Sequence, residues 1–245
     1  MKRTALITGG SGGIGSVICK SLASNDINVV CGFSKNSEVA NAIVEEIRKS
    51  GYDAIAMKVD ITESSEVLDN ICEGIFEHFG SLDILVNCAA INSEAPAPGM
   101  DDDTWQKVID VNLSGAFRLT RAAVKYMIVR KWGRVIHLSS VSAQTGGRGQ
   151  INYAASKAGL ETMTRVFALE LGRKDITVNG IAPGVIETAM TERIVSEYRE
   201  ILLENISAKR FGKPDDVASL AAFLVSDEAS YINGQIIKID GGMNL

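Results

Sequence analysis

TALITGGSGGIGSVICKSLA (residues 4–23) decides how the rest of the chain is read. Its first five residues, Thr4–Thr8, form an apolar, β-branched run that suits a strand buried on both faces. Five glycines then fall within the eight residues Thr8–Gly15. Glycine loses more conformational freedom on folding than any other residue, so such a cluster demands a tight turn or something lying against bare backbone. From Ile14 to about Ala23 the pattern becomes helical. Strand, glycine turn and helix in succession present unpaired N–H groups and the positive end of the helix dipole, the setting in which glycines cradle a pyrophosphate. No Gly-Lys-Ser/Thr follows, so a P-loop is excluded.

The same alternation runs through the chain. Strand-like stretches recur at 4–8, 27–33, 53–59, 82–87, 134–139, 176–182 and 235–240. Between them lie helical patterns such as Trp105, Val108, Ile109, Leu113, Phe117 and Leu160, Met163, Phe167, Leu171. Repeated βαβ units predict an α/β fold with a mainly parallel sheet of seven strands and helices on both faces. No linker, repeat or low-complexity tract interrupts the 245 residues, which are expected to form one domain over 1–245. An irregular segment, about 184–214, carries one helix-like piece.

Composition narrows the function. The chain is 46% hydrophobic and 22% charged, with a net charge of −5 and no basic stripe, which argues against nucleic acid as a partner. Asp101–Asp103 reads as a solvated helix start. The four cysteines, Cys19, Cys31, Cys72 and Cys88, lack metal or redox spacing and suit free thiols in a reducing compartment. The two histidines, His78 and His137, are far apart, so no zinc site is expected. No apolar run reaches the ~18 residues of a membrane span, and the N-terminal stretch reads as a strand of a cytoplasmic protein, not a signal peptide.

The glycine spacing, Gly9-x-x-x-Gly13-x-Gly15, resembles the nucleotide loop of the short-chain dehydrogenases/reductases. The resemblance extends over the whole chain: VDIT (59–62), NCAA (87–90), VNLSG (111–115), YAASK (153–157) with Ser140 thirteen residues upstream, and NGIAPGVIET (179–188) follow the family's motifs in order. It implies a Rossmann-type, doubly wound domain with Asn112, Ser140, Tyr153 and Lys157 as catalytic residues. The spacing of the family selects Ser140 over the adjacent Ser139. The cofactor would be held by Gly9, Ser11, Gly12, Gly13, Ile14, Ser34, Lys35, Asp60, Ile61, Asn87, Ala89, Tyr153, Lys157, Pro183, Gly184, Ile186 and Thr188. In the family the tyrosine protonates a carbonyl oxygen as hydride arrives, the lysine holds the nicotinamide ribose and the asparagine fixes a water. Residue chemistry agrees. Tyr153 and Lys157 are four apart on a helix and share a face. A neighbouring ammonium is expected to lower the phenol pKa, and Ser140 can donate to an oxygen gaining charge.

Strand two ends in Ser34 and Lys35 with no acid until Glu38. A ribose 2′-OH partner is thereby missing and a 2′-phosphate is favoured, hence NADPH. Gly12 stands where many NADPH-dependent members carry arginine, leaving Lys35 as the expected phosphate cation. Residues 147–164 and 210–245 look particularly similar to 3-oxoacyl-(acyl-carrier-protein) reductases of fatty acid synthesis. That resemblance implies an acyl-carrier-protein or acyl-CoA thioester as partner, a homotetramer paired through the long fourth and fifth helices and through the C-terminal tail DGGMNL (240–245), and carrier docking on Arg130, Lys131, Arg173 and Lys174 near the site entrance. Ser140, Gln150, Tyr153 and Met190 would face the substrate, and Met190, Ile194 and Tyr198, at i, i+4 spacing, would wall a closing loop. The shared motifs also admit an acetoacetyl-CoA or polyketide-type ketoreductase, or a dehydrogenase of another small alcohol or ketone. A non-catalytic NADP-binding regulator is disfavoured because Tyr153 and Lys157 are both present.

Overall fold

The computed structural model describes residues 2–243; Asn244 and Leu245 of the expected tail interface lie outside them. Seven strands form one sheet in the order β3-β2-β1-β4-β5-β6-β7: β1 (Thr4–Thr8), β2 (Asn28–Phe33), β3 (Ala54–Lys58), β4 (Ile84–Asn87), β5 (Gly133–Leu138), β6 (Ile176–Pro183) and β7 (Ile236–Ile239). Every pairing between them is parallel. β1, β4, β5 and β6 are buried along their whole length, which is why their sequences are apolar without alternation.

Helices α1 (Gly13–Ser24), α2 (Ser37–Lys49), α3 (Ser65–Phe79), α4 (Asp102–Ile109), α5 (Ala116–Arg130), α6 (Ser142–Thr145), α7 (Ile151–Leu171), α8 (Glu192–Glu204) and α9 (Pro214–Val225) connect or follow the strands. α1, α2 and α9 cover one face, with Ile18, Leu22, Ile43, Ile47, Val217 and Leu224 in its core. α3, α5 and α7 cover the other, with Leu68, Ile75, Leu119, Met127, Ala168 and Leu171. The acidic run does start a helix: Asp101 caps α4 by accepting from the Thr104 N–H at 2.7 Å. Among the described residues no helix is long and apolar enough to cross a membrane.

Two helical expectations need correction. The period from Trp105 to Phe117 belongs to no single helix, because a π-helical turn over Asp110–Gly115 separates α4 from α5. Gly115 closes that turn against β3's exit: a Cβ there would come within 2.7 Å of the Ile61 carbonyl. In the 184–214 segment, Met190 precedes α8 and Tyr198 interrupts it with φ −125°, ψ 25°, so Met190, Ile194 and Tyr198 do not form one helical stripe.

Behind β5 runs a buried polar column. His137 is flanked by the Thr120 hydroxyl at 3.2 Å and the Thr164 hydroxyl at 2.8 Å, and Asn87 donates to Thr120 at 2.9 Å. A neutral imidazole donates to one threonine and accepts from the other. Burial, assisted by the Lys157 charge, pushes the His137 pKa down to about 3. As pH falls below the ordinary histidine value of ~6.5, the unfolded chain takes the proton first, so this group's contribution to stability, complete above that value, is progressively lost towards about 3. Chemical denaturation should show a loss approaching ~1.4 kcal/mol per pH unit between about pH 6 and 5, above the carboxylate range. The slope should vanish in His137→Asn; an unchanged slope would contradict the assignment.

Candidate active site

The strand order reverses between β1 and β4, and the loops leaving these strands diverge there. An open parallel sheet binds ligands at such a point. Thr8, at the end of β1, accepts the N–H groups of Cys88 and Ala89 at 3.0 and 3.1 Å. Gly9 follows with φ +63°, and a Cβ on it would lie 2.9 Å from Ala89 Cα. Both features lock the two loops side by side. The result is a cleft of about 990 Å³.

The cleft is lined by Gly9, Ser11, Gly12, Gly13 and Ile14 from the glycine loop, Ser34 and Lys35 after β2, Asp60 and Ile61 after β3, Ala89 after β4, and Pro183, Gly184, Ile186, Thr188 and Met190 after β6. These are the positions expected from the sequence. A side chain on Gly13 would meet Thr188 Cγ2 at 2.9 Å, so glycine keeps the channel open where the N-terminus of α1 points into it. Asp60 accepts from the Thr62 N–H at 3.0 Å, the Thr62 hydroxyl at 2.7 Å and the Ser34 hydroxyl at 3.3 Å. The Thr62 bonds, with Ser34 and Lys58 adding, hold its carboxyl below the usual range. α3, the helix that follows, is capped by Ser64. A dinucleotide fits this donor set: bare backbone and a helix N-terminus for phosphates, then Ser34 and Lys35 beyond.

At the other end stand Ser140, Tyr153 and Lys157, all on the lining. α7 carries Tyr153 and Lys157 on one face. Ser140 lies two residues past β5, where its Oγ accepts from the Ser142 N–H at 3.2 Å, and it stands close enough to Tyr153 to act on the phenol. Ser139, the adjacent hydroxyl, is committed elsewhere: it donates to Glu161 at 2.9 Å. The electrostatics differ from the expectation. Burial raises the Tyr153 pKa, with Ser140 pulling the other way, and Lys157 does not lower it. The ammonium instead donates to the Leu138 carbonyl at 2.6 Å and sits 5.6 Å from the centre of the Tyr153 ring. Burial pushes its own pKa down to about 8. The pair is therefore a neutral phenol beside an ammonium that spends one of its three donors on a backbone carbonyl.

Asn112 lies off the lining, 1% exposed, in the π turn. Its amide exchanges bonds with both backbone groups of Ile91 at 2.9 Å and donates to Ser156 at 3.1 Å. Asn87 turns away towards Thr120. Gln150 also stands outside the lining, donating to Glu94 at 2.8 Å and accepting from Ser142 at 3.3 Å. Glu94 in turn pairs with Arg193 of α8 at 3.4 Å, a link that nothing in the sequence pattern signals. Sequence reasoning also missed Cys88 and the α4 residues Asp103, Gln106 and Lys107 on the lining; an acidic, polar helix start gives no sign of facing a cleft. Burial pushes the Cys88 thiol up to about 11. The four basic residues expected near the entrance lie elsewhere. Lys131 precedes β5 and Lys174 precedes β6, so with Arg130 and Arg173 they occupy the N-terminal edge of the sheet, opposite the cleft. Arg130 pairs there with buried Asp83 at 2.9 Å.

Residues 9–244 match a family model described as Enoyl-(Acyl carrier protein) reductase. The 3-oxoacyl-(acyl-carrier-protein) reductase FabG of Staphylococcus aureus is 42% identical over 243 residues, covering 99% of this chain and 98% of that protein. The 3-oxoacyl-(acyl-carrier-protein) reductase of Synechocystis sp. is 40% identical over 242 residues (98% and 96%), and the FabG of Thermotoga maritima 39% over 241 (98% and 97%). The crystal structure of gox2181 superposes with a TM-score of 0.94 at 33% identity, covering 98% of this chain and 95% of that one. A family model matched over residues 9–244, with relatives 39–42% identical over nearly the whole chain, shows that the chain belongs to the short-chain dehydrogenase/reductase family.

Proposed function

We propose that this chain is a cytoplasmic NADPH-dependent reductase that converts a 3-oxoacyl thioester, carried by an acyl-carrier protein, to the (3R)-3-hydroxyacyl thioester. The observation that carries the reading is the grouping of Ser140, Tyr153 and Lys157 at the rim of a cleft otherwise suited to a dinucleotide. The full-length likeness to 3-oxoacyl reductases supports the substrate class. When bound, the nicotinamide supplies hydride to the carbonyl carbon. Ser140 donates a hydrogen bond to the carbonyl oxygen, and Tyr153, kept protonated by burial, gives that oxygen its proton. Lys157, an ammonium at pH 7 with donors to spare, holds the nicotinamide ribose. Asn112 contributes by fixing Ile91 and Ser156 behind Tyr153, its side-chain amide being fully engaged. Ser34 and Lys35 receive the 2′-phosphate, and Lys58, close enough to act on Asp60, adds a second cation to that end.

The substrate enters past Met190 on the cleft lining. Val129 on α5 and Leu169 on α7, 83% and 84% exposed, leave both helices with an apolar face that pairing in a homotetramer would cover.

Absorbance at 340 nm tests the reading, with a 3-oxobutanoyl group on acyl-carrier protein or on coenzyme A and with NADPH or NADH. Rapid NADPH oxidation with the carrier-bound substrate and little with NADH is expected. Preference for coenzyme A would replace the carrier in the proposal, and no turnover with either thioester, in protein that binds NADPH, would refute it. Tyr153→Phe should lose on the order of 10²–10⁴-fold in turnover while retaining NADPH affinity. Turnover within a few-fold of wild type would refute the assigned acid.

A further inference from the structure

The segment Leu138–Ser140 is held to its surroundings in two ways. Main-chain bonds fasten it to β6: the Ser139 N–H donates to the Ile181 carbonyl at 2.7 Å and the Val141 N–H to the Pro183 carbonyl at 3.0 Å. Side-chain bonds fasten it to α7: Lys157 donates to the Leu138 carbonyl at 2.6 Å, and Ser139 donates to Glu161 Oε1 at 2.9 Å. The two α7 residues are one helical turn apart. Glu161 is 5% exposed, with Arg165 at 3.8 Å from its other oxygen. A carboxylate this deep is rare unless its oxygens have partners, and a hydroxyl donating to a carboxylate is among the stronger hydrogen bonds.

The two side-chain fastenings have different duties. If Lys157 holds the nicotinamide ribose, its ammonium must turn from the Leu138 carbonyl or divide its donors. Glu161 lies off the cleft lining and has no second task. The Ser139–Glu161 bond therefore persists whichever way Lys157 points. It joins the residue next to Ser140 to the helix that bears Tyr153, and so sets the spacing between the serine hydroxyl and the phenol.

We propose that Glu161 is a positioning residue for the reaction: through Ser139 its carboxylate holds Ser140 in hydrogen-bonding reach of Tyr153 while Lys157 engages the cofactor. The inference rests on the roles given to Tyr153 and Lys157 above. The test compares Glu161→Gln, which keeps an acceptor for Ser139, with Glu161→Leu, which removes it at similar volume, and with Ser139→Ala, which removes only the hydroxyl and guards against a leucine variant that fails to fold. Glu161→Leu and Ser139→Ala should each lower kcat about tenfold, the size of effect that small misplacements produce, with NADPH affinity unchanged. Their combination should be no worse than either alone, and Glu161→Gln should stay within about twofold of wild type. Amide exchange gives a readout independent of turnover: peptides covering 136–142 should stay protected in NADPH-bound wild type and lose protection in NADPH-bound Glu161→Leu or Ser139→Ala. A folded Ser139→Ala or Glu161→Leu protein with wild-type kcat, or a glutamine variant as impaired as the leucine one, would overturn the proposal. If the wild-type protein binds NADPH but reduces no 3-oxoacyl thioester, the substrate reading fails, and the exchange comparison still decides the role of Glu161: lost protection upholds it and unchanged protection overturns it.

Discussion

One threonine hydroxyl holds the cleft open. Thr8 is fully buried at the end of β1 and accepts two amide N–H groups, those of Cys88 and Ala89, from the loop after β4. Buried amides without an acceptor cost about 1–3 kcal/mol each, so the two loops cannot separate there without penalty. Gly9, the next residue, can lie against Ala89 only because it has no Cβ and adopts φ +63°. From this junction the glycine loop leads into α1 on one face, and the NCAA loop leads towards α4 and the π turn on the other. Everything proposed for the site presupposes this pinned reversal point.

The reacting end is built on burial. Tyr153 and Lys157 are brought together by α7, but the same burial keeps the phenol neutral and weakens the ammonium's hold on its proton. That combination suits an acid that must arrive protonated and be relieved of charge afterwards. Polar groups behind the pair are themselves satisfied: His137 lies between two threonines, Asn112 bonds Ile91 and Ser156, and Ser139 is held by Glu161. α7 is thus fixed against β5 by a polar column as well as by apolar packing.

Much of this was legible from residues. Seven strands fall within a few residues of the predicted stretches, because strands buried on both faces leave unbroken apolar runs. The glycine loop announced its turn by composition. What the sequence hid depends on side-chain direction or on the third dimension. Spacing placed Lys157 beside Tyr153, but only the fold shows the ammonium bent to the Leu138 carbonyl. The π turn is invisible to a 3.6-residue period, so Trp105–Phe117 reads as one helix. Lys131 and Lys174 match docking positions by resemblance, yet they precede their strands and therefore lie at the far edge of the sheet. Nothing in the sequence pattern marks Glu161, whose bond from Ser139 appears only in the fold.

In the proposed reaction a directed hydride transfer is paired with protonation from Tyr153. It is tested most directly with NADPH deuterated at nicotinamide C4, on one face or the other, and a carrier-bound 3-oxobutanoyl substrate, with mass and chiral analysis of the 3-hydroxybutanoyl product. A cleft that fixes both partners predicts deuterium at C3 from one labelled face only, in a single (3R) enantiomer. Label arriving from both faces or from neither, or a racemic product, would contradict it.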